Sequence, residues 1–215
     1  MSDEIKVRVV DSFMTLIGEH DWDDVTLNRV ADAADVKLSE LRLHFDGKVS
    51  ILSEFARRID AIVLDQIDED VAEELPRERL MDILLSRLDA LLPHKPAIKT
   101  LMRAMRADLS LAAQINRTSL VSMTWMLNAA NIDTAGVEGA IRVQGTAVVF
   151  GKVLRTWIDD DESMAKTMAK LDKELRTGER NMRRLDRVSS MLGPLKRFKT
   201  RRRTRSAEEI LAEEA

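Results

Sequence analysis

An all-α protein is predicted by three features of the sequence. Turn formers are scarce, with 8 Gly and 4 Pro in 215 residues. Leu, Ala, Met, Glu, Arg and Lys are plentiful, which favours helices and starves β-hairpins. Apolar residues also recur at three- and four-residue steps along most of the chain. About nine helices are expected, arranged as a three-helix head over 1–47, a helical body over 48–192 large enough to bury a core, and a charged tail over 193–215.

Ile5, Val9, Phe13 and Ile17 recur every four residues with Val10 and Met14 beside them, so the first helix is amphipathic and should end at Gly18 and the acidic Asp21-Trp22-Asp23-Asp24 cluster. Thr26 makes a good N-cap for a short helix from Leu27 to Ala34. Asp35 follows, a residue that tolerates a left-handed backbone, and then a second short helix around Leu38 to His44. Asp46-Gly47 breaks the chain before a long helix from Lys48, with Leu52, Phe55, Ile59, Ile62 and Val63 on one face. Beyond Pro76, one stripe runs from Leu80 through Ile83, Leu84 and Leu88 to Leu91, ahead of Pro93 and Pro96. Ile98, Leu101, Met102 and Met105 mark the next helix, and Leu120, Met123 and Leu127 another. A further helix should run roughly over 137–157. The run Asp159-Asp160-Asp161-Glu162 stands where negative charge favours the start of a helix. Met164, Met168, Leu171 and Leu175 follow at 4-3-4 spacing, a narrow seam suited to packing on another helix, until Gly193-Pro194 stops the pattern.

The formal net charge of −3 hides a segregation along the chain. Residues 1–55 hold 6 Lys/Arg and 12 Asp/Glu, whereas 173–205 hold 13 Lys/Arg and 3 Asp/Glu, followed by four Glu in 206–215. The absence of cysteine excludes disulfides, thiol nucleophiles and Cys-based zinc sites and fits a reducing compartment. The mixed, charged start is unlike a secretory signal, and the uncharged segment Val143 to Gly151 is far short of a membrane span. A soluble, cytoplasmic protein is expected. Catalysis is not, because His20, His44 and His94 lack metal-binding spacing and no glycine-rich phosphate loop occurs. No cofactor or metal is implied; Asp159 to Glu162 lacks the alternating ligands and central glycine of a calcium loop.

The informative segment is Thr26 to Lys48. Two short helices across a tight turn, followed by a long one, are what a helix-turn-helix requires, the second helix presenting its residues to the major groove. Leu27, Val30, Ala31, Ala34, Leu38 and Leu41 fall where the crossed helices would touch. Lys37, Ser39, Glu40, Arg42, Leu43 and His44 are left to face outward. The seven basic residues within 196–205 would attract nucleic acid or an anionic lipid surface, or simply form a solvated end.

The stretch Phe13 to Leu52, FMTLIGEHDWDDVTLNRVADAADVKLSELRLHFDGKVSIL, resembles the signature of the TetR family of transcriptional regulators. The shared pattern is an aliphatic first helix ending in Gly and an aromatic, then Val-Thr-Leu, a Val-Ala-x-x-Ala helix, and x-Phe-x-x-Lys before a long helix. The chain departs at the turn, where Asp35 replaces the usual Gly. It departs again at Lys37 in place of Ser, and at Arg42-Leu43-His44-Phe45 in place of Tyr-x-Tyr/His-Phe. The resemblance implies three DNA-binding helices, with a ligand pocket and a four-helix dimer interface in the body. It assigns Lys37 and Ser39 to bases, Thr26, Arg42, His44 and Lys48 to phosphates, and Glu40 and Leu43 to the same face. Met102, Met105, Met123, Met126 and Phe150, with Trp125 and Trp157, would line an adaptable apolar pocket, since thioethers fit varied shapes. Val143, Ala147, Leu154, Met164, Met168, Leu171 and Leu175 would form the dimer interface. The implied protein is a homodimer that binds a double-stranded operator and is released by a small hydrophobic effector. A shorter stretch, Trp157 to Leu175, resembles the C-terminal part of COQ9-type proteins. These share the fold and serve as lipid-binding accessories, so an alternative is a lipid- or quinone-binding protein with a degenerate helix-turn-helix.

Overall fold

The computed structural model describes residues 2–67 and 75–182, where eight α-helices precede a further helical stretch from 165 and there is no strand. They are α1 (Ser2–Glu19), α2 (Leu27–Ala33), α3 (Leu38–His44), α4 (Lys48–Asp65), α5 (Pro76–Leu91), α6 (Lys95–Ala107), α7 (Leu109–Ala129) and α8 (Gly136–Trp157). A 3-10 turn, Leu92–His94, joins α5 to α6, and helical backbone resumes over 165–175. Met1–Leu175 forms one unit and Arg176–Ala215 a second, whose residues 176–182 are helical. The expected tail 193–215, with its basic run and the Gly193-Pro194 stop, lies outside the described residues.

The four-residue spacing of α1 does what it predicts: Val9, Val10, Phe13, Met14 and Ile17 are all buried. That face serves two sides, since α1 packs against α2, α3 and α4 and also against α6. The boundary expected at 47/48 is therefore no gap in packing, and one continuous core runs from Val9 to Leu175. α1 ends at Glu19, between Gly18 and the acidic cluster, as expected; Trp22 then folds back edge-on to Phe13, with ring centroids 6.1 Å apart.

Two helix ends explain why so little glycine suffices. After α2, Asp35 adopts φ 51°, its N–H donates to the Asp32 carbonyl, and the Val36 N–H reaches the Ala31 carbonyl at 3.0 Å. After α7, Asn131 adopts φ 56° and the Ile132 N–H reaches the Leu127 carbonyl at 2.9 Å. Both are Schellman closures in which Asp or Asn, the side chains best able to accept a left-handed backbone, stand where glycine is usual. Gly139 is a different case, because a Cβ there would lie 2.0 Å from the Thr134 carbonyl carbon.

The acidic run before 165 acts locally. The Asp160 carboxylate accepts from the Thr167 N–H at 2.8 Å and its hydroxyl at 2.7 Å, and these bonds hold its carboxyl below the usual carboxylate range. Two apolar residues depart from expectation. Leu38 is 47% exposed and does not bury against α2, since it is the first residue of a helix only two turns long. Ile62 is 46% exposed, whereas its neighbour Val63 is fully buried, so the apolar face of α4 is narrower than spacing alone suggests.

Candidate nucleic-acid interface

Residues 26–48 form the expected helix-turn-helix. Thr26 caps α2, its hydroxyl oxygen accepting from the Arg29 N–H at 3.3 Å, and Arg29 in turn donates to the Asp24 carbonyl at 2.9 Å. The buried seam consists of Val30, Ala31, Ala34 and Leu41, with Phe45 and Val25 beneath. From α1, Arg8 donates to the Asp35 carbonyl at 3.3 Å and Ser12 to the Ala33 carbonyl at 3.2 Å. The turn is thus pinned from behind by a third helix, the rigid support that a reading helix requires.

The exposed face of α3 and its N-cap comprises Lys37, Leu38, Ser39, Arg42 and Leu43, the last 83% exposed. Of three other expected contacts, Glu40 and Lys48 have local duties. Glu40 is half-buried and its carboxylate accepts from the Lys37 N–H at 2.9 Å, sealing the start of α3. His44 is half-buried at the far end of the helix. Lys48 is half-buried too: its Nζ donates to the Trp22 carbonyl at 2.7 Å and lies 4.2 Å from the centroid of the Trp22 ring. Burial pulls this ammonium below its ordinary value, against the opposing pull of Asp23. Lys48 is therefore a brace between α4 and the loop after α1. Lys48→Met is expected to cost about 1 kcal/mol by removing one hydrogen bond and a part-exposed cation–π contact. Thermal unfolding measures that loss, and a red shift of Trp22 emission reports release of the loop.

Arg42 donates to Asp46 at 2.7 Å, an exposed pair. Asp46 is itself fixed because its N–H and that of Gly47 donate to the Ser50 hydroxyl. The acidity of the head is thus visible beside the exposed Arg42.

Of the residues expected to line a pocket, Trp125 is 54% exposed and the rest are buried or half-buried. Met123 and Met126 are completely buried, Phe150 and Met102 nearly so, and Met105 is half-buried. None of the five lines either of two described clefts. One of these, about 560 Å³, lies beside Trp22, Lys48 and Asp108, and the other, about 580 Å³, between α4 and α7. The expected dimer seam is also largely internal. Val143, Ala147, Leu171 and Leu175 are buried within the chain, Leu154 and Met164 are half-buried, and Met168 is exposed. A 4-3-4 seam signals a helix partner without saying whether the same chain supplies it. The apolar residues that α8 leaves uncovered are Val137, Ile141 and Val148.

A buried polar group escaped the sequence reading altogether. The Asp60 carboxylate of α4 pairs with the Arg87 guanidinium of α5 through one oxygen and accepts from the Ser122 hydroxyl of α7 at 2.8 Å through the other. All three residues are buried, and Arg87 lies 5.7 Å from the centroid of the Phe150 ring. Residues 27 and 62 positions away from Asp60 complete this group, so no local motif announces it.

Comparison with known proteins places this arrangement. No family model matches the chain. Over 143 residues, 65% of the chain, it is 29% identical to the HTH-type transcriptional repressor KstR of Rhodococcus jostii (strain RHA1), a match that spans 66% of that repressor. Among solved structures, a TetR transcriptional regulator from Nitrosomonas europaea superposes with a TM-score of 0.63 at 19% identity, covering 80% of this chain and 96% of that one. One from Rhodococcus sp. RHA1 superposes with a TM-score of 0.58 at 18% identity, covering 81% and 95%. The lipid-binding alternative drawn from 157–175 gains no support from these proteins. No helix among the described residues is long and apolar enough to cross a membrane.

Proposed function

Since the chain has the fold of TetR-family transcriptional regulators, we propose that it is a DNA-binding regulator, a homodimeric repressor released from its operator by a small apolar ligand. The observation that carries this reading is the outward face of α3, where Lys37, Leu38, Ser39, Arg42 and Leu43 stand on a turn pinned by Arg8 and Ser12. In the major groove Lys37 and Ser39 would meet base edges, and Leu43 would offer apolar contact to a thymine methyl. Thr26 and Arg42 would position phosphates, Arg42 exchanging Asp46 for a phosphate oxygen, while His44 and Lys48 support the face from its edge. The name of the Rhodococcus relative supports repression. Val137, Ile141 and Val148, exposed on α8, support pairing of two copies through that helix. Two heads one helical turn apart would then read a two-fold operator, and a ligand favouring another head separation would shift the population away from DNA.

Retention of the full chain on the DNA upstream of its own gene, measured across a salt series, tests the proposal. Retention of that DNA over unrelated DNA of equal length is expected, with affinity falling steeply as salt rises. Equal retention of both, with Arg42→Ala behaving like the wild type, overturns it.

A further inference from the structure

The head keeps most of its positive charge for itself. Of the six Lys/Arg in residues 1–55, four donate to oxygen atoms of the head: Arg8 to the Asp35 carbonyl, Arg29 to the Asp24 carbonyl, Lys48 to the Trp22 carbonyl and Arg42 to the Asp46 carboxylate. Lys37 and the half-buried Lys6 are the other two. The same residues carry 12 Asp/Glu. Affinity for a duplex comes chiefly from cations that displace counterions from phosphates, and a head with twice as many acids as bases contributes little of it. The face of α3 can discriminate between base edges, but the attraction has to come from elsewhere.

The charge that the head lacks stands at the other end of the chain. Residues 196–205, Lys-Arg-Phe-Lys-Thr-Arg-Arg-Arg-Thr-Arg, hold five Arg, two Lys and no acid. Their make-up suits a duplex better than a lipid surface. Phe198 is the one hydrophobic side chain among the ten, so no apolar face is present to enter a bilayer, and charge alone anchors a chain to lipid only weakly. A duplex presents a phosphate about every 1.7 Å along its axis, a dense row that guanidinium forks match two oxygens at a time. The run also departs from the compact unit Met1–Leu175 at its end away from α3. There Asp172 meets Arg77, in the first turn of α5, at 3.2 Å. α5 then runs for 16 residues, about 24 Å, before the 3-10 turn that touches α1. Attached at that end, the run has no part in placing α3 on bases.

We propose that residues 196–205 are a second, sequence-independent contact to duplex DNA, supplying the phosphate attraction that the acidic head lacks. This rests on the reading of the chain as a DNA-binding protein, though not on which sequence α3 reads. Specificity and affinity are then carried by opposite ends of one chain.

Two full-length variants test it against the wild type. In one, every Lys and Arg of 196–205 is changed to Gln; in the other, the five arginines are changed to Lys. Each is titrated into labelled duplex, either the DNA upstream of its own gene or unrelated DNA of equal length, across a salt series. The Gln chain should lose about tenfold or more in affinity for unrelated duplex at fixed salt. Its slope of log affinity against log salt should fall by about 3–6 per chain, at about 0.9 for each phosphate no longer neutralised. Its preference for the upstream DNA and its melting should stay those of the wild type, since the run lies beyond the unit Met1–Leu175. The Lys chain keeps the charge and should keep the slope. A slope that falls by less than about 1 in the Gln chain, or that falls equally in both variants, overturns the proposal. So does binding to vesicles of phosphatidylcholine and phosphatidylglycerol that the Gln change abolishes while the slope on duplex is unchanged. No preference for the upstream DNA, with Arg42→Ala like the wild type and the Gln chain showing the reduced slope, overturns the regulator reading alone. A preference that persists with an unchanged slope overturns this proposal alone, and a wild-type chain that binds no duplex overturns both.

Discussion

Asp60→Ala should cost about 3–5 kcal/mol of stability, the largest loss expected from a single substitution in this chain, because it leaves the Arg87 guanidinium buried without its counter-charge. That guanidinium also lies 5.7 Å from the Phe150 ring centroid, and its Nε has no hydrogen-bond partner even in the intact protein. The cost belongs to the orphaned charge and not to the pair, which predicts an asymmetry. Asp60→Leu combined with Arg87→Met, which removes both charges and keeps the volume, should restore stability to within about 1–2 kcal/mol of the wild type or exceed it. Ser122→Ala, which takes one neutral hydroxyl from the same carboxylate, should cost about 1 kcal/mol. Urea titrations of the four proteins decide the matter. A loss below about 1 kcal/mol for Asp60→Ala would show that water reaches Arg87.

Removing Lys37 and Arg42 together should lower affinity for the operator at least about a hundredfold at fixed salt, since each contact of this kind is worth about 1–3 kcal/mol and a dimer makes it twice. The two residues should differ in kind. Lys37→Ala is expected to relax discrimination between operator and unrelated DNA, the mark of a base contact. Arg42→Ala is expected to weaken both and to make the dependence on salt shallower, the mark of a lost phosphate contact. Fluorescence anisotropy with labelled operator at several salt concentrations separates the two outcomes. Arg42→Ala with an unchanged salt slope would mean that the arginine stays on Asp46 in the complex.

The helices were legible in the sequence because their signals are local. Phe13 and Ile17 lie one turn apart, and Thr26, Asp35 and Gly47 punctuate the chain by their own backbone chemistry. The outward face of α3 was legible for the same reason, since Lys37, Ser39, Arg42 and Leu43 are what remains once the buried seam is taken away. Leu38 and Ile62 mark the limit: spacing gives the direction of an apolar face but not its width, which the neighbouring helix decides. The missed features all depend on distance along the chain. Lys48 is assigned to a phosphate by the resemblance, and the group it meets in the structure, the Trp22 carbonyl, is 26 residues away. Asp60, Arg87 and Ser122 each look like a solvated residue on an amphipathic helix until folding brings three helices together. The methionines of α6 and α7 and the seam at 143–175 are assigned to a pocket and a dimer face by the resemblance, and a single chain's periodicity does not say which apolar stripes its own helices consume.

The unbroken core from Val9 to Leu175 has a thermodynamic consequence for the head. With α1 shared between the reading helices and α6, the head should have no melting transition of its own. Heat should be absorbed in one peak, with calorimetric and van't Hoff enthalpies in agreement for the unit Met1–Leu175. By mass action, whatever binds at α3 then protects Leu171 as much as it protects Leu41.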